Sequence, residues 1–112
     1  MSDCIFCKIA KGEIPTDFVY QDESVMVFKD INPQAPTHLL VIPKRHIVSA
    51  AEVDDLSVWA NLMGRAVEVA KRLNLDTPGF RMVINTGEQG GQTVSHLHLH
   101  LLSGRHFGWP PG

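Results

Sequence analysis

Apolar and polar residues follow two different periods along this chain. Between residues 54 and 73, apolar side chains recur at steps of three and four positions, which is the period of an amphipathic helix. Elsewhere, short runs either alternate apolar with polar residues or are apolar throughout, which is typical of strands. The pattern predicts two helices, over residues 4–11 and 54–73, and five strands, over residues 18–21, 25–29, 38–43, 80–85 and 94–102.

The long helix is predicted to bury one stripe of apolar side chains, formed by Leu56, Trp59, Met63, Ala66, Ala70 and Leu73. Asp54 or Asp55 is a suitable cap for its start, and Thr77-Pro78-Gly79 is expected to end it. Gly12 is expected to end the short first helix, because glycine tolerates the backbone conformation that often follows a helix.

Strands that precede and follow a single long helix indicate an α+β fold. We expect about five strands in one antiparallel sheet, with the long helix on one face and a short helix at the N-terminus. A length of 112 residues with 44% hydrophobic residues is enough for one core. No linker, repeat or low-complexity stretch interrupts the chain, so residues 1–112 are predicted to form a single domain.

The charge balance excludes some classes of function. The chain has 10 Lys and Arg residues against 12 Asp and Glu, a formal net charge of −2, so it lacks the basic field that nucleic-acid binding requires. No apolar stretch approaches the roughly 20 residues of a membrane span, and residues 1–13 are too polar for a signal peptide. We therefore expect a cytoplasmic protein with no nucleic-acid or membrane partner, in which Cys4 and Cys7 are free thiols or metal ligands.

Three of the six histidines lie in one run, His96-Leu97-His98-Leu99-His100-Leu101-Leu102. Side chains alternate between the faces of a strand, so the three imidazoles share one face, about 6.6 Å apart, while the leucines enter the core. Three neighbouring imidazoles are costly as mere structure, because they repel one another when charged and need partners when buried. The run therefore indicates a functional site, but its spacing leaves metal ligation, acid–base chemistry and nucleophilic chemistry open.

The loop before this run, residues 87–93, contains three glycines. Glycine lets backbone N–H groups turn inward, which can form a binding site for an anion. A glycine-rich loop between two strands is usually only a turn, so this signal gains its weight from the histidines that follow.

The histidine run resembles the His-x-His-x-His-x-x signature of the histidine-triad (HIT) superfamily of nucleotide hydrolases and transferases. Further stretches are similar to the Hint branch of that superfamily, namely residues 30–38, 41–46 and 90–94 and the tail Gly108-Trp109-Pro110-Pro111-Gly112. The tail in particular distinguishes Hint-like proteins from the Fhit-like diadenosine polyphosphate hydrolases. The resemblance extends along nearly the whole chain and implies the HIT fold.

The resemblance implies a role for each matching residue. His98 would attack the α-phosphorus of a nucleotide and form a covalent nucleotidyl-histidine, His100 would help protonate the leaving group, and His38 matches the fourth active-site histidine. Asp30 would accept hydrogen bonds from both ribose hydroxyls. The phosphate would be bound by Asn85, Gln92, Thr93 and His100, and the base would lie between Phe6, Ile9, Phe28 and Ile31.

Some bacterial HIT proteins bind structural zinc through a Cys-x-x-Cys pair and two histidines. The matching residues here are Cys4, Cys7, His46 and His96, a ligand set that suits tetrahedral zinc. A closed site of this type serves folding rather than catalysis, and it would attach the N-terminal helix to the histidine strand. The alternative is a pair of reduced thiols that pack beneath the helix.

The resemblance implies hydrolysis of purine nucleoside phosphoramidates such as adenosine 5′-monophosphoramidate, with no metal in the chemical step. It also implies a homodimer in which the tail with Trp109 reaches the active site of the other subunit. Three alternatives remain: a Fhit-like dinucleoside polyphosphate hydrolase, a nucleotide-binding regulatory module with incidental turnover, and a metalloenzyme with His96, His98 and His100 as ligands. Three histidines from one straight strand fit a tetrahedral metal site poorly.

Overall fold

The computed structural model of the protein describes residues 3–112, and within them five strands form one antiparallel sheet. The elements are helix α1 (Ile5–Ala10), strands β1 (Phe18–Gln21), β2 (Val25–Lys29) and β3 (Thr37–Pro43), a short 3-10 helix (Ala50–Glu52), helix α2 (Ser57–Arg72), and strands β4 (Arg81–Val83) and β5 (Leu99–Ser103). The strand order is β1-β2-β3-β5-β4, which places β4 at one edge. The α+β fold is confirmed; residues 1 and 2 of the predicted domain lie outside the described part.

The two helices pack on opposite faces of the sheet. Val27, Leu39 and Val41 form one core cluster with the buried side of α2. Met26, Phe28, Leu40 and Ile42 point the other way and form a second cluster with Phe6 and Ile9 of α1. Both faces of the central strands are therefore buried, which explains why residues 25–28 of β2 and 39–43 of β3 are apolar without alternation.

Helix α2 differs from its predicted bounds at both ends. It begins at Ser57 rather than at residue 54, and Asp55 accepts a hydrogen bond from the backbone N–H of Ser57 at 2.9 Å. It ends at Arg72, because Asn74 takes a left-handed φ of 59° and the N–H of Leu75 bonds to the carbonyl of Ala70. Thr77-Pro78-Gly79 therefore does not end this helix. Within residues 3–112, neither helix is long and apolar enough to cross a membrane.

The apolar stripe predicted for α2 is only partly correct. The buried residues of the helix are Leu62, Ala66, Val69 and Ala70. Leu56, Met63 and Leu73 are exposed instead, and Trp59 packs at the margin of the core. Two apolar stripes overlap along this helix and share Ala66 and Ala70. The sheet covers the stripe that contains Leu62 and Val69, whereas the sequence spacing favoured the one that contains Met63 and Leu73.

Strands β4 and β5 are shorter than the strands predicted over residues 80–85 and 94–102. The segment before β5 is irregular, although the N–H of Leu97 bonds to the carbonyl of Ile47 at 2.6 Å. His96 and His98 therefore precede the regular strand, and only His100 lies within it, opposite Leu40 of β3. Leu97, Leu99 and Leu101 nevertheless enter the core beneath α2, as the alternation predicted.

Candidate functional site

An open cleft of about 540 Å³ lies on the face of the sheet that carries α1. One wall is apolar and is formed by Phe6, Ile9, Phe28 and Ile31. The other wall is polar and carries Asp30, His38, Asn85, Thr93, His98 and His100. The structure thus brings together in one cleft every residue to which the resemblance assigned a base, ribose or phosphate contact, apart from Gln92.

His98 is buried in this cleft with one ring nitrogen bonded and the other available. Its Nδ1 lies 2.8 Å from the carbonyl oxygen of His96. A carbonyl oxygen only accepts, so the neutral ring carries its proton on Nδ1 and keeps a lone pair on Nε2. The ring packs edge-on against Phe6, with centroids 5.3 Å apart. An imidazole held in this tautomer is suited to nucleophilic attack.

His38 and His100 form a hydrogen-bonded pair whose proton positions can be deduced. The backbone N–H of Gln34 donates to Nδ1 of His38 at 3.0 Å, so the neutral ring of His38 carries its proton on Nε2. That Nε2 lies 2.9 Å from Nδ1 of His100, which must therefore accept. The proton of His100 is then on its own Nε2, so this ring can donate a hydrogen bond from the nitrogen that His38 does not use.

The surroundings of the pair favour uncharged imidazoles. Burial lowers the pKa of His38, and the opposing effect of Asp30, whose Oδ2 lies 3.4 Å from Nε2, is smaller. Burial also lowers the pKa of His100 to about 4, with repulsion by His98 and His38 acting in the same direction and Asp30 opposing it. Both rings are therefore neutral at pH 7, as their hydrogen bonds require.

Asp30 lies at the margin of the cleft, where the loop before β3 orients it. Its Oδ1 accepts the backbone N–H of Asn32 at 2.8 Å, and its Oδ2 faces His38. A carboxylate has about four acceptor sites, so each oxygen retains capacity for a ligand hydroxyl.

Gln92 and Trp109 lie away from the cleft. The side-chain amide of Gln92 donates to the carbonyls of Val48 and Val94 at 2.7 and 2.9 Å, and its oxygen accepts the N–H of Gly87 at 3.0 Å. Gln92 therefore closes the glycine-rich loop and does not present its amide to a phosphate. Trp109 is 84% exposed and forms no part of the cleft wall in the single chain.

The glycine-rich loop is a compact turn rather than an open anion site. The N–H of Gly91 bonds to the carbonyl of Glu88 at 3.0 Å, and the N–H of Gln92 bonds to that of Gly87 at 3.1 Å. Gly90 lies so close to the backbone of Thr86 that a Cβ at this position would overlap it. The expectation that consecutive N–H groups point inward is corrected at these two amides, which close the loop instead.

Cys4, Cys7, His46 and His96 form a compact cluster beside the cleft. Their four ligand atoms lie within 4.8 Å of one another; Sγ of Cys4 is 3.2 Å from Nδ1 of His96, and Sγ of Cys7 is 3.2 Å from Nδ1 of His46. Tetrahedral zinc separates such atoms by about 3.5 Å. Nε2 of His96 donates to the carbonyl of Pro43 at 2.8 Å, which turns the lone pair of Nδ1 toward the thiols. The cluster fits zinc in ligand type, spacing and ring orientation.

Burial also shapes the titration of this cluster. It raises the pKa of the Cys7 thiol, with Cys4 adding to the effect, and it lowers the pKa of His96 against the hydrogen bond to Pro43. Neutral imidazoles are ready ligands, whereas thiolates at this position need a compensating positive charge, which a divalent cation would supply.

His96, His98 and His100 do not converge on a shared point. Within residues 3–112, close groups of at least three potential ligands are the Cys/His cluster and the set Asp30, His38 and His100. A metal on Nε2 of His38 would force the ring proton onto Nδ1, against the N–H of Gln34. The geometry therefore gives no support to a metalloenzyme built on the three histidines of the run.

Two contributors to the site have no signature in the sequence. The backbone N–H of Gln34 fixes the tautomer of His38, and the backbone carbonyl of Pro43 fixes that of His96. Every residue has a carbonyl and all but proline have an N–H, so residue type does not predict such roles. Only their position in the chain could have indicated these roles, since Gln34 precedes and Pro43 ends the strand that carries His38.

Comparison with known proteins gives matches over nearly the whole chain. The sequence profile of the HIT domain matches residues 11–107. An uncharacterized HIT-like protein of Synechocystis sp. is 51% identical over 112 residues, covering 98% of this chain and 97% of that protein. A 14 kDa zinc-binding protein of Zea mays is 49% identical over 115 residues, covering 99% of this chain and 89% of that protein. The crystal structure of a HIT family hydrolase from Legionella pneumophila has a TM-score of 0.94 at 50% identity, covering 98% of this chain and 100% of that one.

Proposed function

This chain belongs to the HIT domain family, and from that premise we propose that it hydrolyses the P–N bond of purine nucleoside phosphoramidates through a covalent nucleotidyl-histidine. The observation that carries the proposal is the position of His98, whose Nδ1 is bonded to a carbonyl and whose Nε2 is free, in a cleft with one apolar and one polar wall. Because the carbonyl of His96 holds the ring proton on Nδ1, the lone pair of the neutral ring lies on Nε2, which suits it to attack on phosphorus.

The substrate binds with its base against the apolar wall. Ile31 is 99% exposed, so a purine placed between it and Phe6 covers apolar surface that water now contacts. Apolar walls hold adenine and guanine about equally, so we expect little discrimination between purines. Asp30 accepts the ribose hydroxyls, and Asn85, Thr93 and His100 contact the phosphate. Gln92 does not contact the phosphate in this arrangement, but its hydrogen bonds close the loop that positions Thr93.

The reaction proceeds by two displacements at phosphorus. Nε2 of His98 forms a bond to the α-phosphorus as the P–N bond breaks, and the leaving nitrogen takes up a proton from solvent as it departs. His100 carries its proton on Nε2 and stabilises the departing group by donation. Water then attacks the phosphorus and loses one proton to solvent as the bond between phosphorus and Nε2 of His98 breaks, which releases AMP and leaves the neutral ring with its proton still on Nδ1.

We further propose that Cys4, Cys7, His46 and His96 hold a structural zinc ion. A zinc ion with four protein ligands contributes to folding and keeps no open position for substrate. The relative from Zea mays is described as a zinc-binding protein, which supports this assignment. The ion would link α1 to the segment that follows β3 and to the histidine run.

The protein is proposed to act as a homodimer. Arg81 of the edge strand β4 donates to the carbonyl of Gly108 at 3.0 Å, and the ring of Phe107 lies 5.2 and 4.3 Å from the guanidinium carbons of Arg81 and Arg105. The tail thus leaves the molecule at an edge of the sheet, with Trp109 exposed. A second copy of the chain that packs along this edge would receive the tail in its own active site, beside the leaving group of the bound substrate.

The release of AMP from two substrates tests the proposed function. Purified protein is incubated with adenosine 5′-phosphoramidate and, separately, with a diadenosine polyphosphate. We expect rapid release of AMP from the phosphoramidate and slow release from the dinucleotide. Rapid turnover of the dinucleotide alone would favour a Fhit-like hydrolase, and tight AMP binding without turnover of either would favour a regulatory nucleotide-binding module.

A further inference from the structure

We infer that the Cys/His cluster positions the nucleotide cleft: metal bound by Cys4, Cys7, His46 and His96 sets nucleotide affinity, because it holds the helix that supplies the base-binding wall. This inference rests on the proposed nucleotide cleft. It goes beyond a purely structural zinc ion, since it assigns the site an effect on binding that can be separated from global stability.

Helix α1 carries metal ligands and cleft residues on its two sides. Cys4 caps the helix and Cys7 lies within it, and both face the two histidines of the cluster. Phe6 and Ile9 belong to the same helix and line the cleft. A movement of α1 that displaces the two sulfur atoms must therefore displace the apolar wall as well.

Helix α1 has little stability of its own. It contains six residues, and isolated helices shorter than about 12 residues are marginal in water. Its first turn has no acidic residue, and its cap is the thiol of Cys4, which accepts the N–H of Cys7 at the long distance of 3.5 Å. Sulfur is a weaker acceptor than the oxygens that usually cap helices. The helix must be held in place by its packing and by the cluster.

Phe6 connects the cluster to the nucleophile directly. Its ring lies edge-on to His96 at a centroid distance of 5.7 Å and to His98 at 5.3 Å, and it also packs against Phe28 at 6.1 Å. The tautomer of His98 depends on the carbonyl of His96 and not on α1. Loss of the metal therefore loosens the wall but leaves the backbone hydrogen bond of His98 in place.

The consequence is a separation between binding and chemistry. Removing the metal should weaken AMP binding and raise KM by about tenfold, the loss expected when an aromatic side chain no longer covers one face of a base. The value of kcat at saturating phosphoramidate should change by less than about threefold, because His100 lies in β5 opposite Leu40 of β3 and His98 is bonded to the backbone carbonyl of His96. A metal that served folding alone would leave KM unchanged in the molecules that remain folded.

The test is calorimetric titration of the full chain with AMP in the zinc-loaded form, after removal of zinc by a chelator, and after zinc is restored. Hydrogen exchange of the same samples reports where the chain opens. We expect AMP affinity to fall about tenfold and to recover with zinc, with exchange increasing in residues 5–10 while β3 and β5 stay protected. Equal AMP affinity with and without zinc would overturn the inference, and so would simultaneous loss of protection in α1, β3 and β5.

Two variants decide whether the effect passes through the wall. In Phe6→Ala, zinc removal should weaken AMP binding by less than about threefold, since the aromatic ring that α1 contributes to the wall is already absent. Phe18→Ala is the matched control, because Phe18 packs on the same core cluster at 6.3 Å from Phe28 but does not line the cleft. Zinc removal should still cost it about tenfold; an equal loss in both variants would contradict the inference. Absence of AMP binding to the zinc-loaded wild-type protein would instead overturn the proposed function.

Discussion

Four histidines in and beside the cleft, His38, His96, His98 and His100, each use a ring nitrogen for a hydrogen bond that fixes where the proton of the neutral ring lies. Carbonyls of Pro43 and His96 accept from His96 and His98, and the N–H of Gln34 donates to His38, which donates in turn to His100. The free ring nitrogen of His96 is thereby directed toward the thiols, and that of His98 toward the cleft. Chemically identical side chains acquire different roles through their partners.

His98→Ala should abolish turnover of adenosine 5′-phosphoramidate. The loss should exceed the roughly 10²–10⁴ typical of a missing acid–base group, because the covalent route fails altogether. AMP binding should persist, since the proposed base and ribose contacts come from other residues. Stopped-flow kinetics measure the loss of turnover, and calorimetric titration measures the AMP binding that remains. The matched control is His106→Ala, an exposed histidine outside the cleft; near-wild-type turnover in His98→Ala would contradict the mechanism.

Protein stability should fall between pH 6.5 and 4 through the buried histidine pair. The pKa of His100 is lowered to about 4 in the folded chain, chiefly by burial, so the unfolded chain binds this proton first as the pH falls. This loss of stability is absent above about pH 6.5 and grows to about 1–3 kcal/mol near pH 4. Urea unfolding across this range should show a shallower decline for His100→Gln. Parallel curves for the two proteins would contradict the neutral state assigned to this ring.

At the scale of elements, the sequence predicted what depends on local pattern and failed where tertiary contacts decide. β1 and β2 have the predicted bounds, because a short polar turn separates two apolar runs. The buried stripe of α2 was misjudged because Met63 and Val69 are equally apolar, and only the sheet determines which of them is covered. β5 was predicted too long, since its alternation continues through His96 and His98 where the sheet hydrogen bonds do not.

The same limit applies to the site. The histidine run, the two cysteines and the apolar wall are residue-type signals, and all of them meet at the cleft or the cluster. The resemblance assigns Gln92 to the phosphate, whereas its amide closes the glycine-rich loop in the structure, and residue type does not distinguish these two roles. The difference depends on the carbonyls of Val48 and Val94, whose positions no local pattern reports.

The hairpin of β1 and β2 is attached to α2 by a charged contact at Asp22. Burial opposes ionisation of Asp22, but hydrogen bonds from Tyr20, the backbone of Val25 and Ser24, and Arg65 outweigh it and lower the pKa to about 2. Asp22→Asn should reduce the unfolding free energy at pH 7 by about 1 kcal/mol, a discounted value because water screens the partly exposed Arg65.

The effect of Asp22 has a defined pH window. A carboxylate whose pKa is depressed by folding stabilises the protein above its unfolded pKa, and the contribution is lost as the pH falls toward 2. The difference between wild type and Asp22→Asn in chemical unfolding should therefore shrink between pH 4 and pH 2. Glu23→Gln, at the exposed neighbouring position, should change stability by less than about 0.5 kcal/mol. A constant difference down to pH 2 would show that the contact does not depend on charge.

At the scale of the whole molecule, the exposed tail is the feature that a single chain leaves unexplained. Two adjacent prolines prevent residues 109–112 from joining a helix or a central strand. In the proposed homodimer the tail lies beside the leaving group in the other subunit and does not belong to the core. Deletion of residues 108–112 should therefore alter selectivity among leaving groups more than it alters Tm. The measurement is the ratio of kcat/KM values for two phosphoramidates with different amines, together with a thermal unfolding curve.

Mixed dimers distinguish a tail that acts on its own subunit from one that acts on the partner. The truncated chain, with an intact His98, is combined with full-length His98→Ala. In the proposed homodimer, the working site lies in the truncated subunit and would receive the tail of the inactive one, so selectivity should return to the wild-type value. Selectivity equal to that of the truncated homodimer would show that the tail does not act across the interface.

The covalent intermediate on His98 is the central claim, and the stereochemistry at phosphorus tests it most directly. An adenosine 5′-phosphoramidothioate of single configuration is hydrolysed in ¹⁸O-labelled water, and the configuration of the labelled thiophosphate product is determined. Each displacement inverts the phosphorus centre, so attack by His98 followed by attack of water predicts overall retention. Inversion would mean that water attacks the substrate directly, which would contradict the account of His98 as the nucleophile.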